Sequence, residues 1–382
     1  MPESAPAKRR DLAPLRQLPR SVALNYLRQV RAASDGRATL LAAAASYARE
    51  RLGPRRPFPG YARGSGDRGL YALGGTDGAV RVAIAGDWAS GTDEAAAVAA
   101  AIAALQPHFT VHLGDVYYVG AAAEVRATLL GERTDRYDPT LWPRGSVGSF
   151  ALNGNHEMYA RGRAYFDLLL PHLGLAAGSP QRASFFCLEN PHWRVIALDT
   201  AYNSVGWPLL EELPFWPFAP ANDLTAPQLR WLEEIVRPGA DRRGLVILTH
   251  HPPYARAGNC PRFARQLAGH IRRPVLWFFG HEHRLAVYER RGCGNGLEVW
   301  GRNIGHAGMP VELTPVAEPP APLLYTDPRR YSNDERLELG YNGFASLTFA
   351  GPTLAIDYLD LEGECVYHER WRLADGALQP VP

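Results

Sequence analysis

The chain has 382 residues, 46% of them hydrophobic and 21% charged, with a formal net charge of +2. Those values fit a globular protein with a large core and exclude a disordered polyelectrolyte. No apolar run approaches the roughly 20 residues of a membrane-spanning helix. Charge is unevenly spread: residues 1–60 carry twelve Lys or Arg against four acids. Lys8 is the only lysine, so this arm reads as the solvated surface of an arginine-rich protein. A nucleic-acid or anionic-surface contact is the alternative. The four cysteines, Cys187, Cys260, Cys293 and Cys365, are scattered without a CxxC pair. They read as free thiols in a reducing compartment. Arg and Pro interrupt every apolar stretch of the first thirty residues, so no secretory core is read there and a cytoplasmic location is expected.

In chain order, residues 1–12 have no structural pattern. Ser21 caps a helix over 21–33, and Asp35 caps a second one running to Arg51, where Gly53 and Pro54 stop it. Residues 54–68 read as a linker. Two units are therefore expected: a basic helical extension over 1–68 and a catalytic domain over 69–382. The domain alternates apolar strand-like runs with helices. The runs end at Asp87, Asp115, Asn155, Asp199, His250 and His281, and an Ala-rich helix follows Thr92 over 93–105. That rhythm predicts an α/β fold. Residues 344–372 alternate as antiparallel strands of a second sheet. The aromatic, Pro-rich segment 207–220 breaks the rhythm and reads as a packed surface loop or a lid.

The polar residues closing the runs carry the chemistry. In α/β sheets the carboxyl ends of strands converge on one crevice, so residues distant in sequence meet there. Asp87, Asp115, Asn155, His250 and His281 are oxygen and imidazole donors, a set suited to Fe, Mn or Zn and lacking the thiolates of a structural zinc site. Each motif is weak alone. GHEH could hold a core histidine, and GNHE an Asx turn. In the order GDW, GDVYY, GNHE, THHPPY and GHEH, the set is specific.

That series resembles the calcineurin-like metallophosphoesterase superfamily. The resemblance implies two mixed β-sheets packed as a sandwich flanked by helices, here with an N-terminal helical extension. It also implies two metal ions. Most members begin with D-x-H, but this chain has Asp87-Trp88-Ala89, which leaves the first metal with Asp87, Asp115 and His283 and one ligand short. Tyr118, three residues after Asp115, looks like the tyrosine of the GDxxY motif of purple acid phosphatases and fills the gap. Tyr117, or packing alone, is the alternative. A phenol ionises near pH ~10 and needs a strongly polarising cation to do so at neutrality. The pair is therefore expected to be Fe(III) with a divalent Fe, Zn or Mn. The second metal would be held by Asp115, Asn155, His250 and His281.

The implied activity is hydrolysis of a small phosphate ester, a monoester by preference, through in-line attack of a metal-bound hydroxide. His156 would protonate the leaving oxygen. His251 would face the substrate, and Glu157 would orient His156 or face solvent from the turn. His112 is read as structural and His306 as a loop residue outside the catalytic set. A phosphodiesterase acting on cyclic nucleotides or other diesters is the alternative enzyme. A non-catalytic metal-binding scaffold is the alternative of another class, and the complete ligand set argues against it.

Overall fold

Side-chain alternation decides how the strands are used. In Ala79–Ala85, Val82 and Ile84 point into one apolar cluster while Ala83 and Ala85 point into another, as the period of two requires. The computed structural model describes residues 47–61, 66–75, 78–134, 139–205, 222–254, 259–311, 313, 319–332 and 338–381. The helix expected over 21–33, the first part of the one over 35–51 and the segment 207–220 lie outside these residues.

Two large mixed sheets form the centre. One pairs Ala79–Ala85, Phe109–His112 and Gly148–Ala151 in parallel. The other pairs Trp193–Ala197, Gly244–Thr249, Pro274–Phe279 and Glu298–Ile304 in parallel. Val82, Ile84, Phe109 and Val111 from the first meet Val195, Val246, Leu248, Leu276 and Phe278 from the second in one buried cluster. Helices cover the outer faces. Asp93–Ala104 buries Ala95, Val98 and Ile102 against the first sheet, and Thr92 caps it by accepting the Ala95 N–H. Trp231, Leu232, Phe263 and Leu267 cover the second sheet. The sandwich flanked by helices is thus as expected.

Two expectations are corrected. The C-terminal strands Gly343–Ala350 and Thr353–Asp360 are antiparallel, but they extend the first sheet: Gly343–Ala350 pairs directly with Ala79–Ala85. The matching alternation of both strands lets one edge zip onto the other. The cysteines are not all free, because Cys260 and Cys293 form a disulfide with Cα atoms 5.6 Å apart. Their separation of 33 residues hid the pairing. Cys187 is buried and free, and Cys365 is exposed and free. Scattered cysteines therefore no longer argue for a reducing compartment. Among the described residues, no helix is long and apolar enough to cross a membrane.

The end of the N-terminal extension packs on the domain. Phe58 stacks on Phe185 and meets Phe166 and Tyr202 edge-on. Arg51 is buried and donates to the Met158 carbonyl. The stretch 54–61, expected as linker, is held by these contacts.

Candidate metal centre

The carboxyl ends of the parallel strands point to the same end of the sandwich. The first sheet supplies Asp87, Asp115 and Asn155 just beyond its strands, and the second supplies His250, His281 and His283. Asp87, Asp115 and His281 hold left-handed backbone, with φ of 58°, 72° and 69°. Non-glycine residues adopt this at a cost that clusters at functional sites. The neighbouring glycines are needed for close approach. A Cβ on Gly280 would stand 2.5 Å from Asp87 Oδ2, and one on Gly154 would overlap Asp115 Oδ1.

Two donor groups result. In the first, the Tyr117 hydroxyl lies 2.8 Å from Asp87 Oδ1, 3.3 Å from Asp115 Oδ2 and 2.9 Å from His283 Nε2. In the second, Asn155 Oδ1 lies 3.0 Å from both His250 Nε2 and His281 Nδ1, and Asp115 Oδ1 is 3.4 Å from His250 Nε2. Asp115 thus faces both. His250 turns its Nδ1 to the Leu113 carbonyl, which aims Nε2 inward. Ligand atoms of Asp87, Asp115 and His250 lie within 4.8 Å of one another, as do those of His250, His251 and His281.

Tyr118 was the expected donor; the hydroxyl that lies against Asp87, Asp115 and His283 is that of Tyr117. The chain turns just past Asp115: Val116 bridges to Ala89, the Tyr117 N–H donates to the Ala89 carbonyl, and the Gly120 N–H donates to the Val116 carbonyl. Tyr118 packs with Val119, Ala160 and Met309, its N–H bound by Glu124.

The carboxylates draw positive charge into a buried place. Burial alone would raise the Asp115 carboxyl, yet His250 and His156 hold it well below the usual carboxylate range. His250 in turn, against its own burial, is raised to about 9 by Asp115. Burial, then Asp87 and Asp115, pushes the Tyr117 phenol well above its ordinary value. Buried charges require pairing or a metal. A cluster of carboxylate, amide, imidazole and phenol donors whose acids face neighbouring imidazoles fits metal cations.

Other predicted residues fall around this cluster. His156 donates its backbone N–H to Asp115 Oδ1 at 3.0 Å and has Nδ1 on the Tyr118 carbonyl at 2.7 Å. Its Nε2 is 3.8 Å from Asp115 Oδ2, and burial lowers its pKa. Glu157 neither faces solvent nor holds the His156 ring. Its Oε2 accepts the N–H groups of Asp115 and Gly154, so it fixes the two turns that bear Asp115 and Asn155, and burial followed by Asp115 raises it to about 8. His112 sits in the core against Trp88 and Trp142, structural as expected. His306 is buried behind the cluster.

Two residues escaped the sequence reading. Asp199 is fully buried and accepts from Ser184 Oγ, Asn153 Nδ2 and the N–H groups of Ala201 and Tyr202. Thr200 beside it lies 3.0 Å from His251 Nδ1. Asp199 also closes an apolar run, the same signal that marked the other strands.

Among solved structures, the chain is similar to a purple acid phosphatase from yellow lupin (Lupinus luteus) seeds, at 14% identity and a TM-score of 0.46, covering 78% of this chain and 54% of that one. It is similar to GAP50, the anchor in the inner membrane complex of Plasmodium, at 15% identity and a TM-score of 0.45, covering 78% and 89%. It is also similar to PhoD, at 11% identity and a TM-score of 0.42, covering 81% and 73%. The chain thus spans about half the length of the lupin protein. No curated protein matches it. The family model for calcineurin-like phosphoesterases matches residues 80–285, more than half of the chain, and the chain therefore belongs to that family.

Proposed function

We propose that this protein hydrolyses phosphate esters, monoesters by preference, at a two-metal centre in the unit 69–382. Asp87, Asp115, Tyr117 and His283 would hold one cation, and Asp115, Asn155, His250 and His281 the other. Convergence of these seven side chains from five strand ends supports the reading. Two cations there supply Lewis acidity to the phosphoryl oxygens and lower the pKa of a bound water. A phenol donor favours ferric iron at the first position, with a divalent Fe, Zn or Mn at the second.

The chain's own residues do the rest. Asp115 fixes the separation of the two donor groups by facing both. His156 anchors Nδ1 on a carbonyl and leaves Nε2 to carry a proton to the leaving oxygen. His251 faces the phosphoryl group. Residues 1–68 form a basic extension whose last part docks against the catalytic unit. The location stays open to measurement, since the Cys260–Cys293 bond suits an oxidising compartment.

The test combines metal analysis of the purified protein with assays on an aryl phosphate monoester and an aryl diester. About two metals per chain with monoester turnover exceeding diester turnover is expected. A metal-free, inert protein rejects hydrolysis, and a preference for the diester overturns the monoester assignment.

A further inference from the structure

His251 stands beside His250 and His281, its ring 4.9 Å and 4.6 Å from theirs between centroids. By position alone it could be a third imidazole ligand. Thr200 decides otherwise. The Thr200 hydroxyl is fully buried and touches His251 twice: it accepts the His251 backbone N–H at 3.1 Å and lies 3.0 Å from Nδ1. A hydroxyl carries one proton, and a buried one needs an acceptor. The backbone N–H is a donor, so of these two groups only Nδ1 can take that proton. An imidazole that accepts at Nδ1 carries its own hydrogen on Nε2, and that nitrogen has no lone pair for a metal.

We propose that Thr200 fixes His251 in the Nε2–H tautomer, and that His251 then donates a hydrogen bond from Nε2 to a phosphoryl oxygen of the bound ester. With Nδ1 turned to Thr200, Nε2 is the nitrogen left to face the donor cluster. The backbone on either side of this contact is anchored. Thr249 Oγ1 donates to the His251 carbonyl at 2.8 Å and accepts Trp277 Nε1–H at 2.8 Å. Asp199 accepts the N–H groups of Ala201 and Tyr202, each at 2.8 Å, and Gln228 brackets its backbone through Oε1 and Nε2. The turn bearing Thr200 is therefore anchored independently of any ligand. Thr200 acts as a positioning residue, and His251 touches the substrate. This rests on the phosphoesterase reading for the identity of the anion, while the tautomer stands on the hydrogen bonds alone.

The experiment is a long-range 1H–15N correlation spectrum of the full chain, labelled at histidine and loaded with zinc, with His251 assigned through His251→Gln. The expected pattern is an unprotonated Nδ1 and a protonated Nε2, with the Nε2 proton moving on addition of inorganic phosphate. Thr200→Val should abolish the preference and weaken phosphate binding about tenfold, the loss of one hydrogen bond. KM should rise while kcat changes less, metal content should hold, and Thr200→Ser should restore the wild-type spectrum. His251 protonated on Nδ1, or loss of a metal ion in His251→Gln, overturns the proposal. An Nε2–H tautomer in a protein that hydrolyses no phosphoester sinks the phosphoesterase reading and leaves the tautomer assignment standing.

Discussion

Tyr117 shows how one hydroxyl sorts the chemistry of a cluster. Its oxygen touches both carboxylates and His283, while burial holds its proton on. A cation would reverse that balance, because it replaces the proton as the partner of Asp87 and Asp115. In the iron-loaded protein, Tyr117→Phe is expected to abolish a visible charge-transfer band and to weaken the first metal position. Tyr118→Phe should retain the band. Absorption spectra with metal quantification decide between the two, and a band lost only in Tyr118→Phe would reverse the assignment. His156 makes a second prediction at this scale. If its Nε2 delivers a proton, His156→Ala should slow hydrolysis of alkyl phosphates by about 10²–10⁴. Hydrolysis of p-nitrophenyl phosphate, whose leaving group needs little protonation, should slow far less. Equal losses on both would assign the His156 side chain to a role other than leaving-group protonation, and no loss on either would leave only its backbone N–H to Asp115.

At the scale of elements, the ends of strands do the positioning and the loops beyond them need restraint. The segment following Gly244–Thr249 carries His250 and His251, and Cys260 farther along is tied to Cys293 at the end of Leu285–Gly292. The bond encloses 33 residues. Chain-entropy reasoning puts the stabilisation between about 3 and 4.7 kcal/mol, bracketed by loops of about 15 and 100 residues. Cys293→Ala, or reductant added to the wild type, is expected to lower the denaturant midpoint by a corresponding amount. Equal midpoints with and without reductant would show that the bond contributes nothing. The turn after Gly148–Ala151 is restrained differently. Glu157 accepts the N–H groups of Gly154 and Asp115 together, so two strands of the first sheet share one clamp.

The molecule as a whole depends on registry between its two sheets, because each supplies part of the candidate ligand set. A buried ion pair crosses between them. Arg302, on Glu298–Ile304, donates Nε to Glu369 Oε1 at 2.8 Å, and Glu369 lies on Cys365–Ala374 of the other sheet. The Tyr358 hydroxyl donates to the same carboxylate at 2.7 Å. Removing one partner strands a buried charge, which costs about 3–5 kcal/mol. Glu369→Gln is expected to lower unfolding free energy by that order in a urea titration. A change below about 1 kcal/mol would mean that the pair is solvated or easily repacked.

The apolar runs and the polar residues closing them were legible in the sequence, and so was an α/β fold, because strand period and carboxyl-end convergence are local and general rules. Asp87, Asp115, Asn155, His250 and His281 were named on that basis, whereas the two-sheet sandwich and His283 came from the resemblance of the motif series to a known family. Only tertiary structure decided which tyrosine reaches the aspartates, since the turn after Asp115 sets the direction of each side chain and both candidates are tyrosines. It alone paired Cys260 with Cys293, gave Glu157 its two backbone partners, joined the C-terminal strands to the first sheet and set Thr200 against His251. Apart from the local bond of Glu157 to Gly154, these are contacts between segments tens to hundreds of residues apart. Spacing along a chain carries no record of them until the sheets have packed.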